Sequence, residues 1–237
     1  MLRRKETLPE GVVDLAITHE KGLLHVEGAP DSEELRRRLS RMFQLSLDLS
    51  DFVKMTRTSE PHHWVEKAGF GRLLCGSTLW EDAVKVTATT NTMWRQTVRM
   101  VELLVAHCGR DGAFPTQADV ARFTEGELQQ VCRLGYRAKT IRALADFDLS
   151  GVTDPTLSSE EQFRRYKTLP GIGPYGAAHL LAMDGRHDYI AVDTEFRRFV
   201  RERYHGGRTV LDATMVRRYA RWGRWKYLAY WSELWRS

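Results

Sequence analysis

Two short segments hold the residue types from which chemistry could be built. The first is Leu169-Pro-Gly-Ile-Gly-Pro-Tyr-Gly-Ala-Ala-His179. The second is Val192-Asp193-Thr194, which places Asp193 eighteen positions after Tyr175. Pro170 and Gly171 suit a turn, and Gly173 lets backbone approach a ligand closely. Pro174 fits the first position of a helix, where its missing N–H costs nothing. A helix start with free N–H groups and the positive end of the dipole is an anion site. Asp193 follows an apolar stretch, Tyr189 to Val192, and stands as a lone carboxylate. Such a group can stabilise a developing positive charge or orient and deprotonate water. Taken singly, the turn is equally a joint between two helices, and Asp193 is a helix N-cap. The two roles of Asp193 are compatible.

Composition bounds the partners. The 237 residues are 42% hydrophobic and 28% charged, enough for one large or two modest domains. No apolar run approaches the ~20 residues that span a bilayer. Met1-Leu-Arg-Arg-Lys-Glu6 lacks a following apolar stretch, so a secretory leader is not expected. The expected location is the cytoplasm, at the nucleoid if the source is bacterial. Cys75, Cys108 and Cys132 are scattered, without metal-ligand or disulfide spacing, and read as small buried side chains. Net charge is +5, unevenly placed. Between Thr194 and Ser237, ten arginines and Lys226 face four carboxylates, a surplus of +7. A basic tail after an anion-binding turn favours a polyanionic partner over a merely solvated surface.

The elements that must position these residues are mostly helical. Gly11 to Gly28 alternates as a β-hairpin turning at His19-Glu-Lys-Gly22. Ser32 caps a helix over Glu33–Phe43, Gln44–Asp48 reads as extended, and Thr56–Pro61 as a loop. Helical spacing then governs Trp80–Thr87, Trp94–His107, Glu125–Leu134 and Ala138–Phe147. Thr116 is an expected N-cap, and Ser158-Ser-Glu-Glu161 a capping box. A last long helix is expected from Asp212 to Trp235. On it Arg224, Leu228, Trp231 and Trp235 would share one face. His62 and His63 read as surface residues. The expected division is an αβ domain over 1–72 and a helical domain over 73–237, with the hairpin motif at about 158–183.

Beyond the hairpin and Asp193, Arg36-Arg-Arg-Leu-Ser-Arg-Met-Phe-Gln-Leu45, Gly71-Arg-Leu-Leu74, Leu79-Trp-Glu-Asp82, Leu134-Gly-Tyr-Arg-Ala-Lys139 and Tyr219-Ala-Arg-Trp222 are suggestive landmarks. From about residue 11 to 235 the chain resembles the helix-hairpin-helix GPD superfamily of DNA glycosylases. It is similar to the AlkA-type 3-methyladenine glycosylase II and 8-oxoguanine glycosylase branch. The resemblance implies a mostly α fold with a small N-terminal antiparallel β portion and two helical subdomains. It implies a monomer that flips a damaged base from double-stranded DNA and hydrolyses its glycosidic bond, with Asp193 catalytic. Tyr175 occupies the position where strand-cutting relatives carry a Schiff-base lysine, so the resemblance implies a monofunctional enzyme acting on an alkylated or otherwise modified purine. The alternatives are an oxidised-purine glycosylase with weak lyase activity and a non-catalytic damaged-DNA-binding protein.

The same resemblance assigns further residues. Tyr175, His179, Arg224 and Leu228 would line the base pocket. Gly171, Gly173 and Pro174 would hold a DNA phosphate. Asn91 would plug the vacated space, Tyr136 would wedge into the stack, and Arg137 would contact the estranged base. Gln96 stands where the 8-oxoguanine enzymes carry an arginine that helps require an opposite cytosine. The backbone carbonyls of Lys167, Leu169 and Ile172 would bind K⁺ or Na⁺. No iron–sulfur cluster is expected, since three cysteines cannot supply its four-cysteine loop.

Overall fold

Residues 1–236 are described by a computed structural model. The chain starts as a three-stranded antiparallel sheet, β1 (Leu2–Leu8), β2 (Gly11–Glu20) and β3 (Leu23–Glu27), in that order. Leu2 pairs with Ile17 and Leu8 with Gly11; Ala16 pairs with Glu27 and Glu20 with Leu23. Strands β2 and β3 are the expected hairpin. Strand β1 is an addition to it, and its inward side chains explain why the pattern hides it. Arg4, Glu6 and Leu8 alternate on one side, which places charges inward. Those charges are paired. Glu6 lies 2.5 Å from both Arg4 and Arg38, and Glu81 lies 3.0 Å from Arg4. Burial raises the pKa of the Glu81 carboxyl, but Lys85 and Arg4 outweigh it and hold the group down to about 2.

Thirteen helices follow among the described residues. They begin with α1 (Glu33–Met42), α2 (Ser50–Thr56), α3 (Trp64–Ala68), α4 (Leu79–Thr89) and α5 (Trp94–Cys108). Next come α6 (Gln117–Ala121), α7 (Glu125–Cys132), α8 (Arg137–Asp146), α9 (Ser159–Tyr166) and α10 (Pro174–Met183). The last are α11 (Thr194–His205), α12 (Asp212–Arg217) and α13 (Lys226–Arg236). Thr116 and Ser158 close full capping boxes at α6 and α9, as their spacing predicts. Helix α2 lies in a stretch whose spacing gives no helical signal. Gln44 to Ser46 forms a turn instead of an extended segment, and Gln44 itself has φ +49°.

The chain forms two compact units, neither continuous in sequence. One comprises residues 1–40, 76–150 and 169–171, the other 41–75, 151–168 and 172–237. The stretch 1–72 is therefore shared between them, because the sheet and α1 pack with α4 through the Arg4–Glu6–Arg38–Glu81 network while 41–72 joins the C-terminal helices. In the first unit Leu104, Leu128, Ile141 and Leu144 are fully buried. In the second, Phe52, Phe196, Val200, Tyr219, Trp222 and Leu228 build an aromatic-rich core. Cys75, Cys108 and Cys132 are buried and form no disulfide, as expected.

The expected long C-terminal helix is broken. Helix α12 stops at Arg217, and a 3-10 segment, Ala220–Trp225, carries Gly223 at φ +52° and ψ −122° before α13 begins. Only glycine adopts that backbone without strain. Arg224 thus precedes α13 and does not share a helical face with Leu228. His62 is a second correction. It is buried, with Nδ1 2.8 Å from Ser232 Oγ and Nε2 3.0 Å from Glu233, because the apolar core closes over it.

His187 is also buried, stacked on Trp225 at 5.9 Å and on Tyr227 at 6.0 Å. Its Nδ1 and Nε2 have no hydrogen-bond partner among the described residues. Burial drives its pKa down to about 3.

Two outcomes are expected from this packing. Gly171 has φ +68°, and a Cβ there would sit 2.5 Å from Thr140 Cγ2. Gly171→Ala should lower the unfolding free energy by about 2 kcal/mol in urea titrations, from the left-handed backbone and the overlap together. An unchanged midpoint would contradict this. For His187 the folded pKa lies below the ordinary value, so the unfolded chain takes the proton first. Stability is intact above pH ~6.5 and falls by about 1.4 kcal/mol per unit as pH drops towards 3. His187→Phe should remove that contribution, giving a shallower stability loss between pH 7 and pH 5. It should also raise stability at pH 7 by about 1 kcal/mol by eliminating two unsatisfied nitrogens. An unaltered slope would show that the buried imidazole is solvated.

Candidate functional site

The hairpin helices α9 and α10 belong to one unit, and local sequence sets their ends. Ser158 caps α9 by accepting from Glu161 N–H. Helix α10 is different. Its N-cap is Gly173, no side chain caps it, and Pro174 stands in its first turn. The amides of this first turn are therefore left to an outside acceptor. Gly173 and Pro174 are both exposed. A Cβ on Gly173 would meet nothing within 4 Å, so its surface is open to a ligand.

Asp193 is the N-cap of α11, and its Oδ1 accepts from the Phe196 backbone N–H at 2.7 Å. The carboxylate is half-buried and its orientation is set by that bond. Its neighbours register its charge. Burial raises the pKa of the Tyr227 hydroxyl, and the charges of Tyr175 and Asp193 raise it further. Tyr230 responds the same way, to burial first and to Asp193 second. Tyr227 is thus a member of this site that the sequence did not single out; it sits in an aromatic-rich stretch with no distinguishing spacing.

Tyr175 and His179 lie one turn apart on α10 with ring centroids 4.6 Å apart, edge to face. The His179 ring approaches Tyr227 at 6.2 Å, also edge to face. Burial pushes the His179 pKa down to about 4, so the imidazole is neutral near pH 7. Its Nε2 is buried and has no hydrogen-bond partner among the described residues. Tyr175, His179, Tyr227 and Asp193 therefore form one neighbourhood: an aromatic wall, a neutral imidazole and a carboxylate. Arg224 and Leu228 do not join it as reading groups. Arg224 is exposed, lies 4.6 Å over the Trp225 ring and reaches Asp51 at 3.3 Å. Leu228 is fully buried in the core.

In the other unit, two turns far apart in sequence meet. Asn91, in the α4–α5 loop, has φ +46°, a conformation asparagine tolerates better than most residues. Asn91 Nδ2 donates to the Tyr136 hydroxyl at 3.3 Å, and Thr90 Oγ1 lies at the same distance from that hydroxyl. Tyr136 precedes α8 and is 60% exposed, so its ring stands out from the surface. Arg137 is buried. Its Nη2 donates to the Thr90 carbonyl, and its guanidinium lies 4.7 Å over the Tyr136 ring. The Thr90 carbonyl, also 3.4 Å from the Tyr136 hydroxyl, joins the two turns. A backbone carbonyl leaves no signal in sequence, and this one was missed. Asn91 and Tyr136 are exposed, whereas Arg137 faces inward and holds the turns together.

Among the described residues, no three His, Cys, Asp or Glu side chains are placed to hold a metal ion. No helix among them is long and apolar enough to cross a membrane.

Known proteins share this fold. The family model for HhH-GPD superfamily base excision DNA repair proteins matches residues 84–225. A 3-methyladenine DNA glycosylase from Archaeoglobus fulgidus superposes with a TM-score of 0.78 at 20% identity, covering 97% of this chain and 85% of its own. MBOgg1, solved with a low-affinity DNA ligand, gives a TM-score of 0.72 at 19% identity, over 97% and 88%. The Clostridium acetobutylicum 8-oxoguanine glycosylase/lyase bound to duplex DNA with cytosine opposite the lesion gives 0.73 at 18%, over 98% and 86%. No curated protein matches the chain in sequence. With more than half its length matched by the family model, the chain belongs to the HhH-GPD superfamily of base excision DNA repair proteins, a family of DNA glycosylases.

Proposed function

We propose that this glycosylase is monofunctional and excises an alkylated purine from double-stranded DNA, acting as a monomer. The observation that supports this best is the neighbourhood of Asp193: a fixed carboxylate beside Tyr175, His179 and Tyr227, with no amine among them. Breaking an N-glycosidic bond leaves positive charge on the sugar as the base departs. A carboxylate held beside the anomeric carbon stabilises that charge, and can then orient or deprotonate the attacking water. Tyrosine at 175 cannot form the imine that strand cleavage through a Schiff base requires. The product is therefore an abasic site.

The aromatic wall suggests the substrate. A purine alkylated on a ring nitrogen carries positive charge, and π faces attract cations. A protonated histidine or a free arginine would repel such a base. His179 is neutral near pH 7, and Arg224 is turned to Asp51 and Trp225. An oxidised purine is uncharged and gains less from the same wall.

The remaining parts follow from the family reading. The first-turn amides of α10, reached past Gly171, Gly173 and Pro174, would hold a DNA phosphate. Asn91 and Tyr136 would fill the space left by the flipped base, whose unstacking costs a few kcal/mol. The backbone carbonyls of Lys167, Leu169 and Ile172 would take K⁺ or Na⁺. Lys167 is the C-cap of α9, an end where helix carbonyls lack helical donors, which suits a hard monovalent cation. That ion would stiffen the turn and takes no part in the bond cleavage.

Duplexes bearing a single alkylated purine, oxidised purine, deaminated purine or uracil test this reading. Strand breaks are expected only after hot alkali and only for the alkylated purine. Asp193→Asn should bind the duplex as wild type does while losing about 10²–10⁴-fold in excision rate; a fully active variant would remove Asp193 from the chemistry. A separate trial with borohydride should trap no covalent protein–DNA adduct. Trapping, or breakage without alkali, would reveal an amine nucleophile and end the monofunctional assignment.

A further inference from the structure

The start of α5 exposes apolar surface that the reading above does not use. Met93 is 69% exposed, Trp94 74% and Val98 37%. Trp94 and Val98 are four residues apart and share one side of the helix. Arg95 and Arg99 are exposed on the same two turns, again four apart, with Arg99 3.3 Å from Glu102. An aromatic standing among arginines is how proteins hold unpaired bases: the ring stacks on a base and the cations follow the backbone. The surface also continues a neighbouring feature. Trp94 is three residues from Asn91, and three residues reach at most ~10 Å.

We propose that Trp94 is a stacking platform for the base left unpaired opposite the excised one, and that Arg95 and Arg99 hold the backbone beside it. In an intact duplex every base face is covered by its neighbours. A face opens only where the stack is interrupted, and Asn91 and Tyr136 interrupt it. Bases along a strand are ~3.4 Å apart, so a reach of ~10 Å keeps Trp94 within about three steps of the orphaned base. Stacking is tolerant of base identity because every base has a π face. Trp94 therefore anchors the complementary strand without reading it, and the enzyme tolerates any opposite base. The residue at 96, Gln in this chain, makes no demand for cytosine. This inference rests on the glycosylase reading.

The test uses duplexes with a tetrahydrofuran abasic analogue placed opposite each of the four bases, and opposite a second tetrahydrofuran. Dissociation constants of wild type, Trp94→Ala and Trp94→Phe are measured by fluorescence anisotropy at one salt concentration. Trp94 is a surface residue, so both variants should fold. With a base opposite, Trp94→Ala should bind ~10-fold more weakly, within the ~5–150-fold range of one lost stack, by a similar factor for all four. Trp94→Phe should recover most of that loss. Opposite the second tetrahydrofuran there is nothing to stack on, and wild type and Trp94→Ala should bind equally. An equal loss on that duplex would give Trp94 a backbone contact and overturn the proposal, as would a loss confined to one opposite base. Unchanged DNA binding with an altered oligomeric state in sedimentation would assign the patch to a second copy of the chain, also overturning it. Wild type that binds abasic and undamaged duplexes equally would instead overturn the glycosylase reading itself.

Discussion

The hydrogen bond from the Phe196 backbone N–H to Asp193 Oδ1, 2.7 Å long, is the constraint on which the site depends. It serves a structural need first, since a helix start leaves amides to be satisfied and aspartate satisfies one well. The same bond fixes where the carboxylate stands. One oxygen is committed to the cap, so the other has a defined direction set by the backbone of α11. A carboxylate on a free loop would have to be ordered whenever it met a ligand. Here that ordering is done by folding, and the residues behind α11 keep it in place. Phe196, Phe199 and Val200 are buried against Tyr219 and Tyr230, which locks the helix whose first residue the carboxylate caps.

Burial then sorts the charges around that carboxylate. His179 and His187 both lose their ordinary basicity to burial, and both keep ring nitrogens without partners among the described residues. The tyrosine hydroxyls are pushed the other way, Tyr227 by burial and then by Tyr175 and Asp193, Tyr230 by burial and then by Asp193. The outcome is a carboxylate set among aromatic rings, whose charge also reaches Arg197 on the next turn of α11. Several of the arginines that give the C-terminal region its surplus are themselves paired with carboxylates. Arg197 pairs with Asp212, Arg198 with Glu195 and Glu202, and Arg224 with Asp51.

What was legible in the sequence was local. Thr116, Ser158 and Asp193 announce helix starts because a cap is decided within four residues. The break at Gly173–Pro174 was legible for the same reason. The strand β1 was not, since Arg4 and Glu6 are turned inward and satisfied by Arg38 and Glu81, residues far away in the chain. Apolar alternation cannot register a strand whose buried face is charged. The final helix was over-extended because its apolar spacing runs on through Gly223, where the backbone turns to φ +52°. The burial of His62 leaves no local signal because its partners, Ser232 and Glu233, lie 170 or more residues later. The split of the first 72 residues between two units has the same origin: long-range contacts decide it.

Asn91 and Tyr136 illustrate how a long-range contact joins two ordinary turns into one surface. Neither turn is rigid by its own sequence. Asn91 sits at φ +46°, and Tyr136 is a mostly exposed ring. What restrains them is Arg137, buried beneath, donating to the Thr90 carbonyl while its guanidinium covers the Tyr136 ring. A cation on a backbone carbonyl is among the stronger hydrogen bonds available, and its burial shields it from water. An arginine buried inside the protein is what ties this pair of turns together.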